Sequence, residues 1–156
     1  MNQRLLTLVV CFLMLSLSVR HGIAKSKAES GMPDRALMQK TWDGWNTLNP
    51  ANAAQFYASG QNTFFDLAPL KYESWDEYQQ GAAKLLTDFK SATFTINDDA
   101  KIYPAGQYAW GTATVKYDMT HQSGKRDMGN MRWTVIWQKQ DGKWLIVHEH
   151  VPMPLQ

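Results

Sequence analysis

MRWTVIWQKQDGKWLIVHEHVPMP, Met131 to Pro154, places an Asp-Gly pair between two runs of alternating residues. Asp-Gly favours a two-residue turn with positive φ at both positions, so the stretch reads as a β-hairpin. If Asp141 and Gly142 form the loop, Gln140 faces Lys143, Trp137 faces Ile146 and Trp133 faces His150. One face then carries Trp133, Val135, Trp137, Ile146, His148 and His150. The other carries Arg132, Thr134, Ile136, Val147, Glu149 and Val151. In this register Glu149 stands across from Thr134 and diagonal to Arg132, on the face away from both histidines.

The strand before the hairpin bears on which face is inside. Ala109, Gly111, Ala113, Val115 and Tyr117 alternate with Trp110, Thr112, Thr114, Lys116 and Asp118. The small and apolar set suits a concave face approached closely by a helix or a ligand. Joined through the HQSGKR turn, that set is expected to share its face with Arg132, Thr134 and Glu149. The face with Trp133, Trp137, His148 and His150 becomes the outer one. Tryptophans on an outer sheet face call for a partner sheet, so these four residues are the expected dimer interface.

Upstream the period is helical. Pro33 and Asp34 suit a first helical turn, followed by Met38, Trp42 and Trp45 at i, i+4, i+7. Asn49-Pro50 caps a second short helix running to about Tyr57, and Asn62–Leu67 reads as a short strand. Ser74-Trp75-Asp76-Glu77 is a capping box ahead of a third helix with Tyr78, Ala82, Leu85, Leu86 and Phe89 at helical spacing. Thr93–Asn97, Gln107–Thr120, Met128–Gln140 and Lys143–Val151 then read as strands. Helices first and a long meander afterwards predict an α+β domain, one curved, mostly antiparallel sheet wrapped on helices.

The bulk properties bound the function. Leu5–Val19 is an apolar run behind Arg4, and Gly22-Ile23-Ala24 offers small residues where a signal peptidase cuts. Residues 1–24 therefore read as a cleaved signal peptide, 25–32 as a flexible tether and 33–154 as one domain of an exported protein. The chain has one cysteine, Cys11 inside the leader, so the mature domain relies on its core and not on disulfides. Of 16 Lys+Arg, Arg4 and Arg20 lie in the leader, leaving 14 against 14 Asp+Glu. That balance argues against nucleic acid or an anionic membrane surface as partner. All seven Trp and six Tyr follow the leader, a surplus that suggests an aromatic-lined pocket, a subunit interface, or both.

Three constellations bear on chemistry. His148 and His150 have metal-ligand spacing, but His121 is the only other histidine after the leader, roughly 23 Å away along the strands. Two wall or interface histidines and no metal is the expectation. Arg132 with Glu149 reads equally well as a structural ion pair or as a desolvated ligand site in which Glu149 is the acid or base. Asp66, after two phenylalanines, is either a polar group at a pocket rim or a turn residue. No nucleophile motif, phosphate loop or dinucleotide fingerprint occurs, and no cofactor is expected.

ESWDEYQQGAAKLLTDF, a strand pair and MRWTVIWQKQDGKWLIVHEHVPMP together resemble the SnoaL-like domains of the nuclear transport factor 2-like superfamily, many of them ketosteroid isomerase homologues. The resemblance runs from about Pro33 to Pro154. It implies a cone of curved sheet closed by helices, an apolar cavity on the concave side and dimers through outer sheet faces. Relatives isomerise steroids, cyclise polyketides, act as dehydratases or assemble kinases, so activity stays open. One expectation is a small apolar or aromatic molecule bound by Trp42, Trp45, Tyr57, Phe64, Asp66, Val115, Tyr117, Arg132, Thr134 and Glu149, with proton transfer of isomerase or cyclase type. The other is a non-enzymatic carrier or dimeric interaction module.

Overall fold

The computed structural model describes residues 31–154; the expected leader and most of the tether lie outside the described residues. Helix α1 spans Arg35–Trp45, and Asp34 is its cap, its side chain accepting from the Leu37 N–H at 2.7 Å. Asn49 caps a 3₁₀ turn at Pro50–Asn52, and a second follows at Ala54–Phe56. The segment expected as one short helix is thus two single turns. Strands β1 (Gln61–Phe65) and β2 (Tyr72–Ser74) lead into helix α2 (Trp75–Leu86), capped by Ser74 with Asp76 and Glu77 in its first turn. Five strands follow: β3 (Phe89–Ile96), β4 (Lys101–Ala105), β5 (Tyr108–His121), β6 (Arg126–Gln140) and β7 (Lys143–His150). β4 is a strand that the alternation did not predict.

The seven strands form one sheet in the order β2-β1-β7-β6-β5-β3, with β4 on β5 beside β3. Every pairing is antiparallel except β1 with β7. This is the α+β architecture expected, a mixed curved sheet with the helices on its concave side.

Two registers differ from the sequence reading, and both matter for the site. The Asp-Gly hairpin starts as expected: Asp141 and Gly142 have φ of 49° and 76°, Gln140 faces Lys143, and Trp137 faces Ile146. Beyond that pair Ile136 faces His148 and Val135 faces Glu149. Val147 is therefore an extra residue on β7, a bulge after which alternation resumes one position later. At the other hairpin the chain turns through Gln122–Gly124, with Gly124 at φ 91° and the His121 N–H bonded to the Lys125 carbonyl at 2.8 Å. Ala113 consequently faces Trp133, and Ala109 faces Trp137.

The expected outer placement of Trp133 and Trp137 is thereby corrected. They are 1% and 0% exposed and lie in the core. Ala109, Gly111 and Ala113 do face inward, but the room they leave is taken by indole rings: a methyl on Gly111 would stand 3.0 Å from the Trp137 ring. Above the sheet, Trp42 meets Trp133 edge to face at 5.4 Å and Phe94 at 5.0 Å. Tyr57 stacks on Trp75 at 4.1 Å, and Tyr78 stacks on Phe64 and Tyr72. Large rings thus pack on one another through the interior of the cone, and their burial removes a large apolar area from water.

Candidate functional site

One part of the interior stays open. Helix α1 contributes Trp42 and Trp45 to its wall, and α2 contributes Tyr78, Ala82, Leu85 and Leu86. Phe94, Met119 and Met131 come from the sheet, Asp66 and Leu67 from the segment after β1, Val151 and Met153 from the chain after β7. The cavity measures about 70 Å³. Leu67, Leu85, Met119 and Met153 also line an outer cleft of about 230 Å³, together with Phe89, Tyr117, Asp127 and Met128. Cavity and cleft adjoin through these four shared wall residues, a funnel of about 70 Å³ on the inner side and about 230 Å³ on the outer. Its mouth is apolar yet wet: Leu67 is 46% exposed and Met128 55%.

Two carboxyl groups stand near this funnel in different settings. Asp66 is partly buried in the wall, and burial pushes it up to about 6, against one opposing hydrogen bond from the Leu67 N–H. Glu149 is 1% exposed and lies behind the wall. Tyr57 Oη donates to its Oε1 at 2.9 Å, Trp133 Nε1 donates to its Oε2 at 2.8 Å, and Trp45 Nε1 donates to Tyr57 Oη at 3.0 Å. Burial raises Glu149 to about 7, while hydrogen bonds from Trp133, Tyr78 and Tyr57 act the other way. The same burial, with the Glu149 charge beside them, pushes Tyr57 and Tyr78 well above the ordinary phenol range. Both oxygens of Glu149 already have donors, and the residue does not line the cavity.

The expected site is only partly assembled. Trp42, Trp45 and Asp66 do meet in the cavity wall, and Tyr117 lines the outer cleft. Phe64 and Val115 are both 0% exposed and belong to the core behind. Glu149 points inward, but the Arg132 expected beside it does not: Arg132 and Thr134 lie on the opposite face of β6 from Trp133. A pair of Arg132 with Glu149 across one cavity is therefore corrected, and the bulge at Val147 is the cause. His148 and His150 lie on the outer face against Phe65, with ring centroids at 5.4 Å and 5.6 Å, and the His148 Nδ1–H is bonded to the Thr63 carbonyl at 2.7 Å. Among the described residues no three His, Cys, Asp or Glu side chains gather as metal ligands.

Tyr78, Ala82, Leu85, Leu86, Phe94, Met119, Met131 and Met153 line the cavity without having been singled out as binding residues. The α2 members were legible as an apolar stripe. A packing stripe and a ligand wall have the same period, so the stripe alone does not separate them.

The SnoaL-like domain model matches residues 36–156. The chain belongs to the SnoaL-like family. No curated protein matches it. Among solved structures, a nuclear transport factor 2-like superfamily protein from Salmonella enterica superposes with a TM-score of 0.68 at 15% identity, over 78% of this chain and 92% of that one. A protein of the same superfamily, of unknown function, from Pseudomonas putida gives 0.67 at 19% identity, over 78% and 84%. The association domain of C. elegans CaMKII gives 0.61 at 14% identity, over 76% and 91%. At these identities the SnoaL-like chain shares a fold with them, and a shared fold does not set the chemistry.

Proposed function

We propose that this SnoaL-like domain binds a small, largely apolar molecule in the funnel and exchanges a proton with it through Asp66. The observation that carries this reading is an apolar cavity whose wall holds one partly buried carboxyl group. A carboxyl poised near 6 is part anion and part acid around neutrality. It can take a proton from a bound molecule, exchange it with solvent while it is the acid, and return a proton to another atom, with no other reactant. Glu149 backs the site without touching it: it holds Tyr57, and through Tyr57 it holds Trp45, which lines the cavity. A carrier without chemistry is the second reading, favoured by how much of the cone interior rings occupy.

Native mass spectrometry of protein purified from its own host tests binding through a retained molecule. Proton exchange is tested by incubating that complex in D₂O: deuterium is expected on carbon in the wild type and not in Asp66→Asn. A retained molecule that never acquires deuterium would establish the carrier instead.

We further propose that residues 1–24 are removed on export and that the domain pairs through its outer sheet face. Trp133 and Trp137 are unavailable there. Trp110, Tyr103 and Tyr108 are exposed at 42%, 39% and 46%, and Tyr103 stacks on Trp110 at 4.1 Å. A contiguous exposed aromatic patch of this kind favours association, and one structural neighbour is itself an association domain.

A further inference from the structure

Charge is spread unevenly over this domain. After residue 24 the 14 Lys+Arg match the 14 Asp+Glu, yet the sheet segregates them. Alternation and pairing put Lys101, Lys116, Arg126, Arg132 and Lys143 on the outer face of strands β3 to β7, together with His148 and His150. The one acid on that face of those strands is Asp118, and Arg126 already takes it. Lys101, Lys116, Arg132 and Lys143 are exposed, and none forms an ion pair among the described residues. A balanced total thus hides a face with unmatched cations.

Three of these groups fall on a line. Lys116 faces Asn130, Arg132 faces Thr114 and His150 faces Thr134. Each is therefore diagonal to the next, one strand over and two residues on, at roughly 7–8 Å per step. The line crosses β5, β6 and β7 in one direction, and Thr93 on β3 and Thr63 on β1 continue it at its ends. Thr95, Thr112 and Thr134 lie beside it on the same face, each with a hydroxyl that donates and accepts hydrogen bonds.

This stripe is separate from the aromatic corner of the face. Trp110 faces Ile136, four residues along β6 from Arg132 and roughly 13 Å away. Two copies paired through Tyr103, Tyr108 and Trp110 leave the stripe open, and a pairing that laid stripe on stripe would oppose like charges. A nucleic acid strand is held by rings that stack its bases beside the cations that track its phosphates, and here rings and cations stand apart. An extended chain with anionic groups at intervals and hydroxyls between them matches both the cations and the threonines.

We infer that the Lys116–Arg132–His150 stripe binds a carboxylated polysaccharide, its carboxylates on Lys116 and Arg132 and its hydroxyls on His150 and the flanking threonines. The stripe lies on the opposite face of the sheet from the funnel, so it stands or falls independently of what binds there.

The test is calorimetric titration of the folded domain with hexagalacturonate, against its fully methyl-esterified form, hexaglutamate and a six-residue oligothymidylate. Hexagalacturonate is expected to bind at one site per domain, severalfold more weakly as NaCl rises from about 50 to about 200 mM. The esterified chain, with the same backbone and no charge, should bind far more weakly. Arg132→Gln and Lys116→Gln should each weaken binding by roughly three- to tenfold while circular dichroism stays folded. Lys40→Gln, at an exposed position on α1, removes the same charge from another side of the molecule and should change nothing. If hexaglutamate or the oligothymidylate binds as tightly as hexagalacturonate, the polysaccharide class is overturned. If hexagalacturonate does not bind at low salt, or Lys40→Gln weakens it as much as Arg132→Gln does, the stripe is not a site.

Discussion

Glu149 is a buried carboxylate with three hydrogen-bonding neighbours and no cation, so its cost falls on the charged form. Its folded value, about 7, lies above its ordinary 4.5. Between those values the folded protein binds more protons than the unfolded chain, so stability is greatest below about pH 4.5 on this account and declines as pH rises through 7. The decline amounts to about 3 kcal/mol. Asp66, raised to about 6, adds a loss of the same sign at lower pH. Glu149→Gln keeps an acceptor for Trp133 and an N–H₂ for Tyr57 Oη, as the protonated acid would. Urea titrations of the variant between pH 5 and 8 should therefore show a clearly flatter dependence than the wild type. An unchanged slope would mean that Glu149 is not the group responsible.

At the scale of elements, close approach decides more than propensity. Gly81 sits in α2 over Tyr72, where an added methyl would overlap the phenol ring. Tyr72 has little freedom to retreat, since it is 7% exposed and its hydroxyl donates to the Ala68 carbonyl at 2.8 Å. Ala in a helix gains about 1 kcal/mol over Gly, whereas overpacking costs about 1–3 kcal/mol. Gly81→Ala should therefore destabilise, a net loss of up to about 2 kcal/mol by chemical denaturation; a stabilised variant would show that Tyr72 moves freely. The two tryptophans of β6 give a larger effect. Trp137→Ala leaves a hole where a ring was 0% exposed and should cost about 3–5 kcal/mol.

Across the whole molecule the same residue type serves two purposes, and position separates them. Trp110→Glu, on the outer face, should leave far-UV circular dichroism and urea midpoint nearly unchanged while sedimentation shifts from dimer to monomer at micromolar concentration. A wild type already monomeric there would remove the proposed interface. Export is checked on protein from the expressing cell by N-terminal sequencing, with a start near Lys25 expected; a soluble product that keeps Met1 would refute the leader reading. Among the described residues no helix is long and apolar enough to cross a membrane.

Local chemistry enforces the elements that are legible in the amino-acid sequence. Asp141-Gly142 admits positive φ at both positions and so set the hairpin, Ser74 with Glu77 set the start of α2, and strict alternation set the inward face of β5. Alternation also puts Glu149 inward and the histidines outward, and the structure reaches that arrangement by way of a bulge and not an unbroken ladder. The phase of one strand against the next is set at long range. The Val147 bulge and the Gln122–Gly124 turn each shift pairing by one residue, and one residue exchanges the faces. That shift sent Arg132 outward, brought Trp133 onto Glu149 and filled the cone with indole rings, leaving a narrow funnel at its open end. No local preference encodes such a shift. It is chosen by the whole core, because burying Trp133 and Trp137 removes far more apolar surface from water than burying Arg132 and Thr134 would.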